Sequence, residues 1–195
     1  TPEDVKYVLS SHYQGTPYDP YASYGAKENR GVYRSIGINR NDFMALIQMR
    51  PDVPAEQSAI EWVAYASNAF NTMVPFYANV ERTPEYLANT TGTVSTDNFY
   101  WTSRLIAAMA DASYNKSLFH LERYEEAVLS AGRALVNQYD ARLAAEPDAA
   151  SRAALREEAN TAIAAMLQEK AADTLDKVLF ELSSQMKNAY SRSDA

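Results

Sequence analysis

Two polar residues, Asn68 and Arg104, stand beside apolar segments and could take part in amide chemistry. Asn68 follows the apolar run IEWVAYAS, where the end of a strand would present its side-chain amide to a cleft. An amide there can donate a hydrogen bond to a developing oxyanion, whereas the alternative is an Asn that closes a turn. Arg104 lies in the segment WTSRLIAAMAD, so its guanidinium begins in apolar surroundings and needs an anionic partner. It is either a catalytic or substrate-binding cation or one half of a buried structural ion pair.

Other reactive side chains give little support for catalysis. The two histidines, His12 and His120, are not spaced as a ligand pair. The chain contains no Cys, which excludes a thiolate metal site and a cysteine nucleophile within it. The sequence also has no phosphate-binding loop, dinucleotide fingerprint or serine-hydrolase elbow. It therefore predicts neither a metal nor a cofactor.

An N-terminal threonine can act as a nucleophile with its own α-amine as the base. Thr1, however, is followed by Pro2 and by the acids Glu3 and Asp4. Thr at the N-cap, Pro at the first helical position and acids in the first turn are typical of a helix start. We therefore predict that Thr1 caps a helix and does not attack a substrate.

The charge balance restricts the class of partner. The 195 residues carry 18 basic and 25 acidic side chains, for a net charge of -7, and such a surface repels phosphate backbones and anionic lipids. No apolar run approaches the length of about 18 residues that crosses a bilayer, and the opening TPEDVKYVLSSH does not resemble a secretory signal. We expect no nucleic acid and no membrane as partners. We expect a cytoplasmic protein, although the lack of Cys leaves secretion open.

The first half of the chain is predicted to be rich in strands. A helix to about Ser11 precedes a Tyr-rich loop at 12–30. Apolar residues occupy both alternating faces of 42–50 and 60–67, so these strands should be covered on both sides. The predicted strands are Gly31–Asn39, Asp42–Arg50, Ile60–Ser67 and Met73–Val80, of which the first two form a hairpin.

After the fourth strand the apolar spacing changes to the 3.6-residue period of helices. Asp97 or Ser95 is predicted to cap a helix that ends near Ser113. A helix over 116–144 and another that runs to about Tyr190 are separated by a tight proline turn and form an antiparallel hairpin. The final SRSDA is expected to fray. The prediction is an α+β fold in one domain, with a strand-rich portion at 1–114 and a helical hairpin packed on it at 115–195.

The sequence contains the stretches HYQGTPYDPY, VYRSIGINRNDFMALIQMR, EWVAYASNAFNTMVPFYANV and TPEYLANTTGTVSTDNFYWTSRLIAAMAD. Together they resemble the C-terminal half of the bacterial dipeptidase A family, cysteine peptidases related to the secernins. The resemblance is close from Ser11 to about Tyr114. In the remainder only the helical character agrees with the family. The resemblance implies that the chain is part of the four-layer αββα sandwich of the N-terminal-nucleophile hydrolases, whose strands are apolar on both faces.

The resemblance also implies a mechanism. A cysteine exposed as the first residue of the mature enzyme attacks the dipeptide, with its own amino group as the base, and forms an acyl-enzyme. Because this chain has no Cys, the nucleophile would lie in an N-terminal half outside it. The expected function is the C-terminal portion of a dipeptidase, and the chain alone is expected to be inactive. The expected partners are the missing N-terminal half of the same enzyme, a dipeptide substrate and further copies in a homo-oligomer.

Two short motifs are similar to those of the penicillin and bile-salt acylases of the same superfamily. The motif ASNA at 66–69 is similar to the strand-end motif of their oxyanion Asn, and SRL at 103–105 is similar to the helix-opening motif of their active-site Arg. This similarity implies that Asn68 and Arg104 are catalytic and share one cleft. One alternative is an acylase that acts on a non-peptide amide. The other is a non-catalytic binding module whose contact surface is Tyr13, Tyr18, Tyr21 and Tyr24, unless these tyrosines pack their loop onto the sheet.

Overall fold

The computed structural model describes residues 1–187, and both Tyr190 and the SRSDA end lie outside them. Within that range the chain is a mixed α/β protein of three strands and five α-helices. The strands are β1 (Phe43–Met49), β2 (Ala59–Tyr65) and β3 (Val74–Tyr77), and the helices are α1 (Pro2–Leu9), α2 (Glu85–Ala88), α3 (Phe99–Ala112), α4 (Tyr114–Ala145) and α5 (Ala149–Ser183).

The strands form one antiparallel sheet in the order β1-β2-β3. Phe43 lies opposite Tyr65 in the first ladder, and Trp62 lies opposite Pro75 in the second. The structure thus confirms three of the four predicted strands, and β2 and β3 are rich in the aromatic and β-branched residues that favour sheets. One sheet is present in residues 1–187, so the second sheet of an αββα sandwich stays a prediction.

The predicted strand at Gly31–Asn39 is wrong, and no hairpin joins it to β1. The segment is a loop that begins at Gly31, whose φ of 68° lies in the left-handed region that glycine adopts without strain. The N–H of Gly31 donates to the C=O of Tyr18 at 3.2 Å, and the N–H of Gly37 donates to the C=O of Ser11 at 2.8 Å. Because these backbone groups bond to the Tyr-rich loop and to the residue before it, they are not available for strand pairing.

The helix caps confirm one prediction and correct another. Thr1 caps α1 as predicted, since its hydroxyl accepts from the N–H of Asp4 at 3.2 Å. The cap of α3 is Asn98, whose side chain accepts from a first-turn N–H at 2.9 Å, and not Asp97 or Ser95. Those two side chains bond to each other instead, at 2.8 Å, in the loop before the helix.

Helices cover both faces of β2 and β3. On one face the hydroxyl of Tyr77 donates to the C=O of Val136 in α4 at 3.1 Å. Side chains alternate along a strand, so Tyr65 points to the opposite face. There its ring packs against Phe99 of α3, with 5.2 Å between the ring centroids. The expected layer on each face is therefore present for these two strands.

Helix α5 covers the free edge of β3. The Oδ1 atom of Asn160 accepts from the N–H of Tyr77 at 2.8 Å, and its Nδ2 atom donates to the C=O of Tyr77 at 2.9 Å. The side-chain amide of Asn160 thus takes the place of a neighbouring strand. An edge that is satisfied in this way does not pair with another chain.

Helices α4 and α5 form the predicted antiparallel hairpin, although α5 ends at Ser183 and not near Tyr190 as predicted. Arg142 bonds to Glu158 near the turn at 2.7 Å, and His120 lies 3.4 Å from Glu181 toward the other end. The hairpin packs on the sheet through β3. The division into portions at 1–114 and 115–195 stays a prediction.

We expect Gly132→Ala to lower the free energy of unfolding by about 1–3 kcal/mol, because the new methyl group would overpack the core. A Cβ atom at this position of α4 would lie 2.7 Å from Cδ of Pro75. This contact outweighs the gain of about 1 kcal/mol in helix propensity. Chemical denaturation measures the change. Gly92→Ala is the control, since a Cβ there meets nothing within 4 Å, and an equal effect of the two changes would contradict the prediction.

Candidate active site

The end of β2 holds a strained turn. Ala66 follows the strand directly and is fully buried, with a φ of 65°. A non-glycine residue in this region costs about 1–2 kcal/mol, and such strain is found preferentially at functional sites. The N–H of Ala66 donates to the C=O of Asp42 at 2.9 Å, which fixes the turn against the start of β1. The chain therefore leaves the sheet abruptly at Ser67 and Asn68, and no sequence signal marks this strain.

Asn68 is held in place by three hydrogen bonds, and its side chain is buried. Its Nδ2 atom donates to the C=O of Leu9 at 3.2 Å, and its Oδ1 atom accepts from Nδ2 of Asn71 at 3.4 Å. The backbone C=O of Asn68 accepts from Nζ of Lys6 at 2.7 Å. One N–H of the Asn68 amide is thus engaged, and the second has no acceptor among residues 1–187.

Lys6 is a buried cation that the sequence did not single out. Its side chain is only 1% exposed, and its Nζ atom also donates to Oγ of Ser10 at 2.7 Å. Burial lowers the pKa of Lys6, while the carboxylate of Glu125, 3.7 Å away, raises it. The ammonium group ties α1 to the turn that holds Asn68. No short motif marks this role, because it depends on the tertiary contact between α1 and the end of β2.

Arg104 has the anionic partner that its surroundings required, but the pair is not buried. One guanidinium nitrogen lies 2.5 Å from Oδ1 of Asp42, and the two side chains are 41% and 56% exposed. The interpretation as a buried structural ion pair is therefore wrong. The helix turn that carries Arg104 lies at the edge of the core, so the side chain reaches solvent. An exposed pair of this kind contributes about 0–1 kcal/mol, so the guanidinium can exchange partners at low cost.

Arg104 lines a narrow cavity of about 140 Å³ at the end of β2. Ser67 lines the same cavity, and its buried hydroxyl has no hydrogen-bond partner among the described residues. Buried polar groups without partners are rare in proteins and point to an absent bonding partner. The full lining is Asn39, Ser67, Phe70, Arg104, Ala107, Ala108 and Asp111.

Asn68 lines a second cavity of about 230 Å³, together with Lys6 and His12. Phe70 lines both cavities, so the two are neighbours. The structure therefore brings Ser67 together with Arg104 in one cavity and puts Asn68 in the adjoining one. Convergence of the Asn68 and Arg104 side chains on a single substrate stays a prediction.

The Tyr-rich loop packs partly against the body of the protein. His12 Nδ1 lies 3.0 Å from Oδ1 of the buried Asp19, and its Nε2 atom lies 3.3 Å from the hydroxyl of Tyr114. Tyr21 stacks on Tyr114, with 4.6 Å between centroids. Burial raises the pKa of Tyr114 to about 12. Tyr21 thus has a packing role, whereas Tyr24 is about half exposed.

No group of three His, Asp or Glu side chains in residues 1–187 is arranged to hold a metal ion. The helices of this part of the chain also include none long and apolar enough to cross a membrane.

Comparison with known proteins identifies the family. The model of "Peptidase family C69" matches residues 1–127, which include the strained turn, Asn68 and Arg104. This chain belongs to peptidase family C69. The C69 match ends within α4, and the remainder of the hairpin lies beyond it.

Named relatives extend the similarity across the whole chain. The probable dipeptidase A of Streptococcus pyogenes serotype M18 is 47% identical over 194 residues, which is 100% of this chain and 40% of that protein. A dipeptidase of Bifidobacterium longum is 40% identical over 231 residues, covering 100% of this chain and 43% of its own length. The similarity thus includes the helical hairpin, for which the sequence motifs had shown only the same helical character. The chain spans about two fifths of the length of these curated relatives.

Proposed function

We propose that this chain is the C-terminal portion of a dipeptidase of peptidase family C69. The observation that carries the proposal is the match of the full chain, at 47% identity, to a protein named a probable dipeptidase A. The cavities at the end of β2 support it, because the Arg104 guanidinium, the unpartnered Ser67 hydroxyl and the fixed Asn68 amide line two neighbouring cavities beside one strained turn. In the complete protein this region faces the scissile amide.

The proposed mechanism divides the reaction between two parts of the protein. The part of the complete protein outside this chain, about three fifths of the relatives' length, supplies the nucleophile. It is an N-terminal cysteine whose own amino group acts as its base. Attack on the dipeptide carbonyl forms a tetrahedral oxyanion, and the second N–H of the Asn68 amide donates to that oxygen. Arg104 exchanges Asp42 for the nucleophile or the substrate carboxylate, which its planar fork can bind through two hydrogen bonds.

The uncovered side of β1 supports a missing partner for the sheet. Phe43, Ile47 and Met49 lie on one face of β1 and are each more than half exposed. The expectation that both faces of this strand are covered is therefore wrong for this chain alone. The outer edge of β1 also has no neighbouring strand in the described chain. We propose that the rest of the protein covers this face and edge and completes the αββα sandwich.

We expect the 195-residue chain, purified alone, to leave dipeptides intact and to associate with itself. It lacks a nucleophile of the proposed kind, and β1 offers an apolar face and a free edge for pairing. Product analysis by chromatography and light scattering across a concentration series measure the two effects. Turnover by the chain alone, abolished by Thr1→Ala, would contradict the first expectation. A monomer at high concentration that binds no hydrophobic dye would contradict the second.

A further inference from the structure

We propose that Asp111 binds the α-ammonium group of the dipeptide in the cavity lined by Ser67 and Arg104. The inference rests on the proposed function and assigns a residue that selects substrates with a free amino terminus. In a dipeptide the α-ammonium group is attached to the carbon that is bonded to the carbonyl of its only peptide bond. A site that cleaves dipeptides therefore needs an anionic group close to the scissile carbonyl.

Asp111 lies on the same face of α3 as Arg104, because seven residues make about two helical turns. Both side chains line the 140 Å³ cavity at the end of β2. Asp111 also lines a wider cavity of about 530 Å³, with Tyr21, Arg34 and Arg40. Asp111 thus lines both the smaller, inner cavity and the larger, outer one.

The charges of the inner cavity favour a cation. Arg104 is already neutralised by Asp42 at 2.5 Å. Asp111 forms no ion pair with any residue from 1 to 187, so it leaves a negative charge in the lining of the inner cavity. Arg34 and Arg40 face only the outer cavity. An ammonium group of the substrate is therefore drawn to the unpaired charge of Asp111 in the inner cavity.

Ser67 gives a second, independent sign of a ligand. The residue is only 3% exposed, and its buried Oγ atom has no partner in the described part of the chain. An ammonium group has three N–H donors. It can donate to the Asp111 carboxylate and to the Ser67 hydroxyl at once. The hydroxyl then gains a hydrogen bond, and without one its burial is unfavourable in free energy.

The position of Asp111 is unfavourable for folding. It is the second-last residue of α3, which ends at Ala112, and a negative charge there faces the negative end of the helix dipole. The Asp111 carboxylate also adds to the effect of burial in raising the pKa of Tyr21. Asp111→Asn removes this charge but keeps a side-chain oxygen that can accept from the Tyr21 hydroxyl. The change should therefore not destabilise the protein, so a loss of binding would not be a folding defect.

The test uses the complete protein with the change Asp111→Asn. We expect the Kd and KM for alanyl-alanine to rise about tenfold or more, while Tm is unchanged or higher. Propionyl-alanine, which lacks only the ammonium group, should bind far more weakly than alanyl-alanine to the unmodified protein. The Asp111→Asn variant should bind propionyl-alanine about as well as it binds alanyl-alanine. Asp176→Asn, at an exposed position of α5, is the matched control and should change neither affinity.

Calorimetric binding separates this inference from the proposed function. If the complete protein binds alanyl-alanine through Asp111 but does not cleave it, the binding site stands and the dipeptidase proposal fails. If it cleaves dipeptides and Asp111→Asn leaves both the KM and the preference over propionyl-alanine unchanged, the inference is wrong and the dipeptidase proposal stands.

Ser67→Ala gives a second readout. We expect a loss of about threefold to tenfold in affinity for alanyl-alanine with no fall in Tm, because the hydroxyl that is removed has no partner within the described protein. A fall in Tm with unchanged affinity would show that the hydroxyl serves folding and would overturn its part in the site.

Discussion

Replacing Asn68 by Ala in the complete protein is expected to lower kcat for dipeptides by about a hundredfold or more, as loss of one oxyanion donor does elsewhere. KM should change little, because the hydrogen bond strengthens only as charge develops on the oxygen. The change also removes the bonds of the side chain to Leu9 and Asn71, so we expect a loss of about 1–3 kcal/mol in the free energy of unfolding. Steady-state kinetics and denaturation measure the two effects.

Asn71→Ala is the matched control. It breaks the same turn, since Nδ2 of Asn71 donates to the C=O of Tyr65 at 2.9 Å and to that of Ala66 at 3.0 Å. It leaves the Asn68 amide able to donate. If Asn71→Ala lowers kcat as much as Asn68→Ala at a similar loss of stability, Asn68 has only a structural role.

Arg104→Lys is expected to lower kcat/KM about a hundredfold, nearly as much as Arg104→Ala, because an ammonium group does not replace a planar fork. Stability should change by less than about 1 kcal/mol, since the bond to Asp42 is exposed. The comparison of the Lys and Ala variants by kinetics separates a requirement for geometry from a requirement for charge alone.

The control for Arg104 is Arg142→Lys. Arg142 has the same 41% exposure and also pairs with an exposed carboxylate, that of Glu158, on the helical hairpin. This change should leave kcat/KM unaltered. Full activity of Arg104→Lys, or an equal loss in Arg142→Lys, would remove Arg104 from the active site.

The strands were predictable where local pattern and tertiary context agree. The segments that became β1, β2 and β3 are short runs of mostly apolar residues and also have strand neighbours. Gly31–Asn39 has a similar pattern, but its backbone bonds to Ser11 and to the Tyr-rich loop, which no local pattern indicates. The short helix α2 was missed because a single turn beside Pro84 does not differ in sequence from an ordinary loop.

The site was predictable only in part. Asn68 and Arg104 follow from their positions beside apolar segments and from similarity to short family motifs. Three other features do not follow from the sequence. They are the buried ammonium of Lys6, the unpartnered hydroxyl of Ser67 and the position of Asp111 in the lining of two cavities. Each of these depends on which elements meet in space, and a lone Lys, Ser or Asp in a sequence gives no sign of it.

The proposed dipeptidase activity is tested most directly by an assay of the complete protein on a panel of dipeptides, with matched non-peptide amides beside them. We expect turnover of the dipeptides and little or none of the non-peptide amides. A folded, complete protein that leaves every dipeptide intact, or that cleaves only the non-peptide amides, would contradict it.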